Sequence, residues 1–273
     1  MKKLCYMFLA TLLLFGYSIA LAGDTGSQLS RESIIEKIQK EGVIRVGMST
    51  FVPWAMKDKK GQLIGFEIDV AKKLAQDMGV EIEFIPTAWS GIIPALLTGK
   101  FDVIIGGMGI TPTRNLKVNF TMPYDFSGMS LVAHQKKANG FSKIEDFNKK
   151  EVTIAARMGT TAEQAARKFM PKAEIKLFEN ESQALQELNL GRVHAVVSSA
   201  PMPVFHALKY PDKLFVPLKE NFTKEPIGFA IQKGDYDALN YFNNWILNMH
   251  SQGFLKEKKT YWFESKKWES LVK

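Results

Sequence analysis

Cysteine is nearly absent: the 273 residues hold a single one, Cys5. Beyond that position a disulfide framework, a thiolate metal site and a cysteine nucleophile are excluded. Histidine is scarce as well. His134, His194, His206 and His250 show no metal-ligand spacing, and neither H-E-x-x-H nor G-x-S-x-G occurs. Gly107-x-Gly109 stops short of a dinucleotide fingerprint, because Pro112 stands where the third glycine belongs. No catalytic residue, no metal and no cofactor is expected. After Ala22 no apolar run reaches the ~18 residues of a membrane span.

What the N-terminus does have is an export signal. Lys2 and Lys3 precede an apolar core from Leu9 to Leu14, and Ala20-Leu21-Ala22 follows as a small-x-small cleavage pattern. Residues 1–22 therefore read as a signal peptide cut after Ala22. Export without disulfides points to a periplasm. Basic residues outnumber acidic ones, 36 to 28, for a formal charge of +8. The lysines cluster at 57–60, 256–259 and 266–267 without interleaved aromatics, so a nucleic-acid surface is not expected.

Residues 23–41 read as a polar tail and a short helix from Ser30 to Ile38. Val43 to Met48 is a strand. Phe66 to Met78 is a helix, with Val70, Leu74 and Met78 on one face and Gly79 as its stop. Glu81 to Ile85 is a strand, Ser90 is placed to cap the next helix, and Phe101 to Ile105 is a strand covered on both faces. The same β-α-β-α-β order returns between Val152 and Val197. Leu96 to Ile105 can be laid over Leu188 to Val197: helix end, glycine, basic residue, buried strand. Two similar α/β lobes with parallel sheets follow.

Open parallel sheets bind ligands beyond the carboxyl ends of their strands. Four loops would then line a cleft: Ser49 to Phe51, Gly106 to Thr111, Arg157 to Thr161, and Ser198 to Pro201. Thr111-Pro112 reads as an N-cap and first helical residue, which puts Arg114 on the first turn. Its guanidinium can clamp a carboxylate; the alternative is a surface residue or a partner for Asp125. Thr160 to Glu163 forms a capping box whose helix N-terminus favours an anion, and Arg157 adds positive charge. Phe51, Trp54 and Trp89 sit beside these loops as aromatic walls. Asp69, Asp102 and Glu225 remain as acids.

Gly65-Phe66-Glu67-Ile68-Asp69, Trp89-Ser90-Gly91-Ile92-Ile93-Pro94 and Ile110-Thr111-Pro112-Thr113-Arg114, in this order and spacing, resemble the polar amino-acid-binding family of periplasmic solute-binding proteins, the receptor subunits of ABC importers. The resemblance implies an α/β fold of two Rossmann-like lobes joined by two hinge strands, the type II periplasmic binding protein architecture. Lobe one would be 42–133 plus 226–273 and lobe two 134–225, with crossovers at Ser130 to Ala133 and Gly228 to Ile231. It also implies ligand-induced closure, a monomer in the periplasm, a small carboxylate-bearing ligand, and an ABC permease of the inner membrane as partner. Arg114 would clamp the ligand carboxylate, with Gly107, Gly109, Thr160 and Thr161 beside it. The family's two acidic ammonium-binding positions read Ser49 and Ser199 here. A buried unpaired ammonium is costly, so a carboxylate lacking a free α-amine is expected, or an amine held by aromatic faces and serine hydroxyls. The same fold resembles cyclohexadienyl dehydratase, a lyase acting on prephenate or arogenate, and a sensory binding protein is a further reading.

Overall fold

The computed structural model describes residues 32–272, so the expected signal peptide and most of the polar tail lie outside the described residues. The strands are β1 (Val43–Met48), β2 (Met56–Lys57), β3 (Leu63–Ile64), β4 (Glu81–Pro86), β5 (Val103–Ile104), β6 (Asn119–Phe120) and β7 (Asp125–Ser127). They continue with β8 (Met129–His134), β9 (Thr153–Arg157), β10 (Glu174–Phe178), β11 (Ala195–Ser199), β12 (Leu214–Phe215), β13 (Glu225–Ile227) and β14 (Ala230–Ile231).

Two five-stranded sheets share one plan. In the first, β1 runs parallel to both β4 and β5, and β14 and β6 extend the sheet antiparallel, giving the order β4-β1-β5-β14-β6. In the second, β9 runs parallel to β10 and β11, and β8 and β12 are added antiparallel, giving β10-β9-β11-β8-β12. This is the two-lobed α/β architecture expected. The internal likeness has a local cause. Gly99 and Gly191, at φ 73° and 67°, end the helices that precede β5 and β11 in the left-handed conformation only glycine adopts cheaply.

The interior strands β5 and β11 are covered on both faces, which is why they read as apolar runs, while the outer strands β4 and β10 alternate. Leu131, Ala133 and Val197 point into one core of the second lobe, and Val132, Ala155 and Val196 into another. On the first sheet Val70 and Leu74 of the helix Phe66–Met78 meet Ile44, Val46 and Val103. Asp102, just ahead of β5, is 1% exposed; it accepts from the Arg45 amide and pairs with Lys37 at 2.9 Å.

The chain passes between the sheets at β7 and β13, an antiparallel pair in which Ser127 faces Glu225 and Asp125 faces Ile227. The expected crossovers lie elsewhere. Ser130 to Ala133 falls inside β8, between β11 and β12, and Ala230–Ile231 lies between β5 and β6. The expected boundary after residue 133 therefore leaves most of β8 with the wrong sheet. The physical reason is burial: every residue from Met129 to Ala133 is buried, as an interior strand requires, whereas the crossing strand carries Phe126 at 53% exposure.

The first helix runs Ile34–Glu41 with Ser33 as its cap; Ser30, where it was expected to begin, lies outside the described residues. It belongs to the first lobe. Ile38 enters that lobe's core, and the Ser33 hydroxyl donates to Asp235 at the head of the helix Tyr236–Ser251.

Candidate functional site

The loops beyond β1, β5, β9 and β11 converge around a cavity of about 50 Å³ between the lobes. Ten of the eleven residues expected there line it: Ser49, Phe51 and Trp89; Gly107, Gly109 and Arg114; Arg157, Thr160, Thr161 and Ser199. Trp54 does not.

Arg114 is placed by its own helix turn. The Thr111 hydroxyl accepts from the Arg114 amide at 3.2 Å and Pro112 occupies the first position, so the short helix Pro112–Asn115 starts at the cleft. The side chain is 7% exposed. It donates to the Gly109 carbonyl at 2.8 Å in its own lobe and to the Gly159 carbonyl at 3.1 Å in the other. Burial pulls the guanidinium below its ordinary pKa, and the nearby Glu225 carboxylate opposes that shift. The alternative partner, Asp125, is taken by Lys259.

Arg157 makes the reverse crossing. Carried by β9 and 4% exposed, it donates from Nε to the Glu179 carbonyl at 3.1 Å and from Nη2 to the Ser49 hydroxyl of the first lobe. Both guanidinium groups lie over the Trp89 ring, at 5.8 Å for Arg114 and 5.6 Å for Arg157. Cations over an aromatic face are attracted by its quadrupole, and more strongly where water is excluded. Ser90, expected as a helix cap, instead donates across the cleft to Glu179 at 2.8 Å.

The helix Thr161–Phe169 is capped by Thr160, which accepts from the Glu163 amide at 3.2 Å. The returning half of the expected capping box lands one residue early: Glu163 accepts from Gly159, at 2.9 Å. Ser199 is held by the Ser127 hydroxyl of the crossing strand, 2.8 Å away.

Trp54 lies under the ligand loop instead of beside it. Gly107 has φ 68°, and a Cβ there would stand 3.0 Å from the Trp54 ring. That ring is 2% exposed and packs on Phe51, Phe66 and Phe263. Its surroundings are core, so the expected wall is a foundation. On the same loop the Gly107 amide donates to Glu67, a fully buried carboxyl that also takes the Tyr124 hydroxyl at 2.8 Å.

Two carboxylates complete the lining. Glu225, weighed from sequence only as a general acid, stands on β13 and takes the Thr223 hydroxyl at 3.2 Å. Glu181 was missed. It opens the helix Glu181–Asn189 behind the Asn180 cap. Asn180-x-x-Gln183 was the signal that could have found it. Burial raises its pKa to about 6, against the Ser198 hydroxyl bonded to it and the Arg157 charge. The cavity thus holds two guanidinium groups and two carboxyls, able to receive a small guest carrying both signs of charge. Among the described residues no cluster of three or more His, Cys, Asp or Glu could hold a metal ion.

Several known proteins are similar to this chain. An ancestral amino acid-binding protein, a precursor of cyclohexadienyl dehydratase, is 44% identical with a TM-score of 0.77, over 85% of this chain and 100% of that one. A binding component of an ABC transporter from Wolinella succinogenes, solved with lysine, is 39% identical with a TM-score of 0.79, over 84% and 99%. The L-cystine-binding protein of Escherichia coli K12 is 28% identical over 89% of this chain and 91% of its own. The family model of bacterial extracellular solute-binding proteins, family 3, matches residues 44–265, and the chain belongs to that family.

Proposed function

We propose that this chain is the periplasmic receptor of an ABC importer. It captures an amino acid by its carboxylate between the lobes and presents it to a permease in the inner membrane, acting as a monomer after its signal peptide is removed. The observation that carries this reading is Arg114: a buried guanidinium on the cavity wall, bonded to one carbonyl in each lobe. A guest carboxylate placed there gains charge-assisted bonds, and contacts to both lobes are available only when the lobes are shut. Ligand therefore stabilises the shut form. The two carboxyls in the cavity favour an ammonium-bearing guest over the amine-free carboxylate that Ser49 and Ser199 suggest. Similarity to proteins that bind lysine and cystine supports the same class.

A thermal-shift screen of the amino acids identifies the guest, and calorimetry on Arg114→Ala tests the clamp. A hydrogen bond to a charged group is worth about 1.5–3 kcal/mol, so affinity should fall by roughly 10- to 100-fold. Unchanged affinity removes Arg114 from the site. An enzymatic reading draws support from Glu181, held near the acidity of a general acid. Incubation with prephenate or arogenate, followed by ultraviolet absorbance, separates the two; no turnover is expected.

A further inference from the structure

The two cavity carboxyls are not equivalent. Glu225 takes the Thr223 hydroxyl and lies next to Arg114: a Cβ on Gly109 would stand 3.0 Å from Glu225 Oε2 and 3.6 Å from Arg114 Nη1. Glu181 takes the Ser198 hydroxyl, but its Oε1 is buried and accepts no hydrogen bond among the described residues. Arg157, the nearest cation, spends Nε on the Glu179 carbonyl and Nη2 on Ser49. A buried acceptor without a donor costs free energy, more so when it is charged. This one lines the cavity.

Neither of the two serines carries a charge to match a cation. The Ser49 hydroxyl already accepts from Arg157, and the Ser199 hydroxyl is engaged with Ser127. A cation in the cavity therefore meets a buried anionic oxygen that accepts no hydrogen bond among the described residues, Glu181 Oε1, whereas Glu225 lies beside the Arg114 charge.

Resting on the reading that Arg114 takes the guest's carboxylate, we infer that Glu181 Oε1 seats the guest's ammonium group, making Glu181 the specificity-determining anion of this cleft. A neutral donor would satisfy the lone pair but leave the carboxylate charge to Arg157 alone, whose bonds point elsewhere. An ammonium supplies donor and charge together, in a site where low dielectric strengthens both.

The test is calorimetric titration of the chain from residue 23 onward, and of its Glu181→Gln and Glu181→Asp variants, each first checked for a cooperative thermal transition. The probes are L-lysine, L-glutamine and L-cystine, with 6-aminohexanoate and 4-carbamoylbutanoate, which keep the carboxylate of lysine and glutamine and lack the α-amine. For the amino acid that binds the parent protein most tightly, Glu181→Gln should weaken binding at least tenfold, and Glu181→Asp less. If 6-aminohexanoate loses affinity in Glu181→Gln to the same degree, the seat holds the terminal ammonium; if it is indifferent, the seat holds the α-ammonium. Equal binding of that tightest amino acid to Glu181→Gln and to the parent overturns the inference and leaves the receptor reading intact. Where 6-aminohexanoate has placed the seat at the α-ammonium, parent binding of the amine-free 4-carbamoylbutanoate as tight as that of glutamine overturns the inference too. A parent protein that binds none of the amino acids overturns both.

Discussion

Arg114 and Arg157 cross the cleft in opposite directions, one from each lobe, with the Trp89 ring beside both. Each leaves its own lobe to bond an oxygen of the other: Arg114 the Gly159 carbonyl, Arg157 the Ser49 hydroxyl. The lobes are thus fastened by the same groups that line the cavity.

Ser49→Ala removes the acceptor for Arg157 while keeping the side chain small. The shut form should lose about 1.5–3 kcal/mol relative to the open one. Small-angle X-ray scattering on protein dialysed free of amino acids should then give a larger radius of gyration for the variant. Equal radii would show that this bond does not hold the lobes.

The two tryptophans should part company. Trp54 is packed beneath the loop, so Trp54→Ala should lower unfolding free energy by about 3–5 kcal/mol, the range for large core truncations. Trp89 faces the cavity and two guanidinium groups, so Trp89→Ala should act mainly on affinity, roughly tenfold, from a desolvated cation–aromatic contact of up to ~2 kcal/mol. Denaturant unfolding and calorimetry read the two effects separately. Trp54→Ala that melts normally but binds weakly would return Trp54 to the cavity wall.

Glu67 makes stability depend on pH. Burial raises its pKa to about 8 in the folded protein, opposed by the Tyr124 hydroxyl and the Gly107 amide, while the nearby Asp125 charge pushes it further up. The unfolded chain titrates near the ordinary value of 4.5. Between these values the folded state binds the extra proton, so stability falls as pH rises from about 4.5 to about 8 and this contribution levels off above. Glu67→Gln lacks the titration. The melting temperature of the parent, measured against that variant across pH 5 to 9, should drop steadily and then run parallel; a constant difference throughout would mean that Glu67 is ionised in the folded chain.

Much of this was legible in the chain itself. The helix Phe66–Met78, the strands β1 and β4, and the duplicated helix-glycine-strand segment follow from local periodicity and turn chemistry, which act within a few residues. Arg114 was legible for the same reason, since Thr111 and Pro112 fix where its helix turn begins. The hinge was not. Ser130 to Ala133 reads equally well as connector or interior strand, and only pairing with β11 and β12 distinguishes them.

By itself, then, the sequence determined two α/β units, the loops at their strand ends, and the guanidinium carried on one of those loops, because each depends on neighbours close along the chain. Tertiary structure alone decided that Trp54 supports the loop, that β7 and β13 carry the chain between the sheets, and that Glu181 stands in the cavity with a buried oxygen unclaimed. Those facts rest on contacts between residues far apart in sequence, such as Ser49 with Arg157, and on burial, which no local pattern encodes.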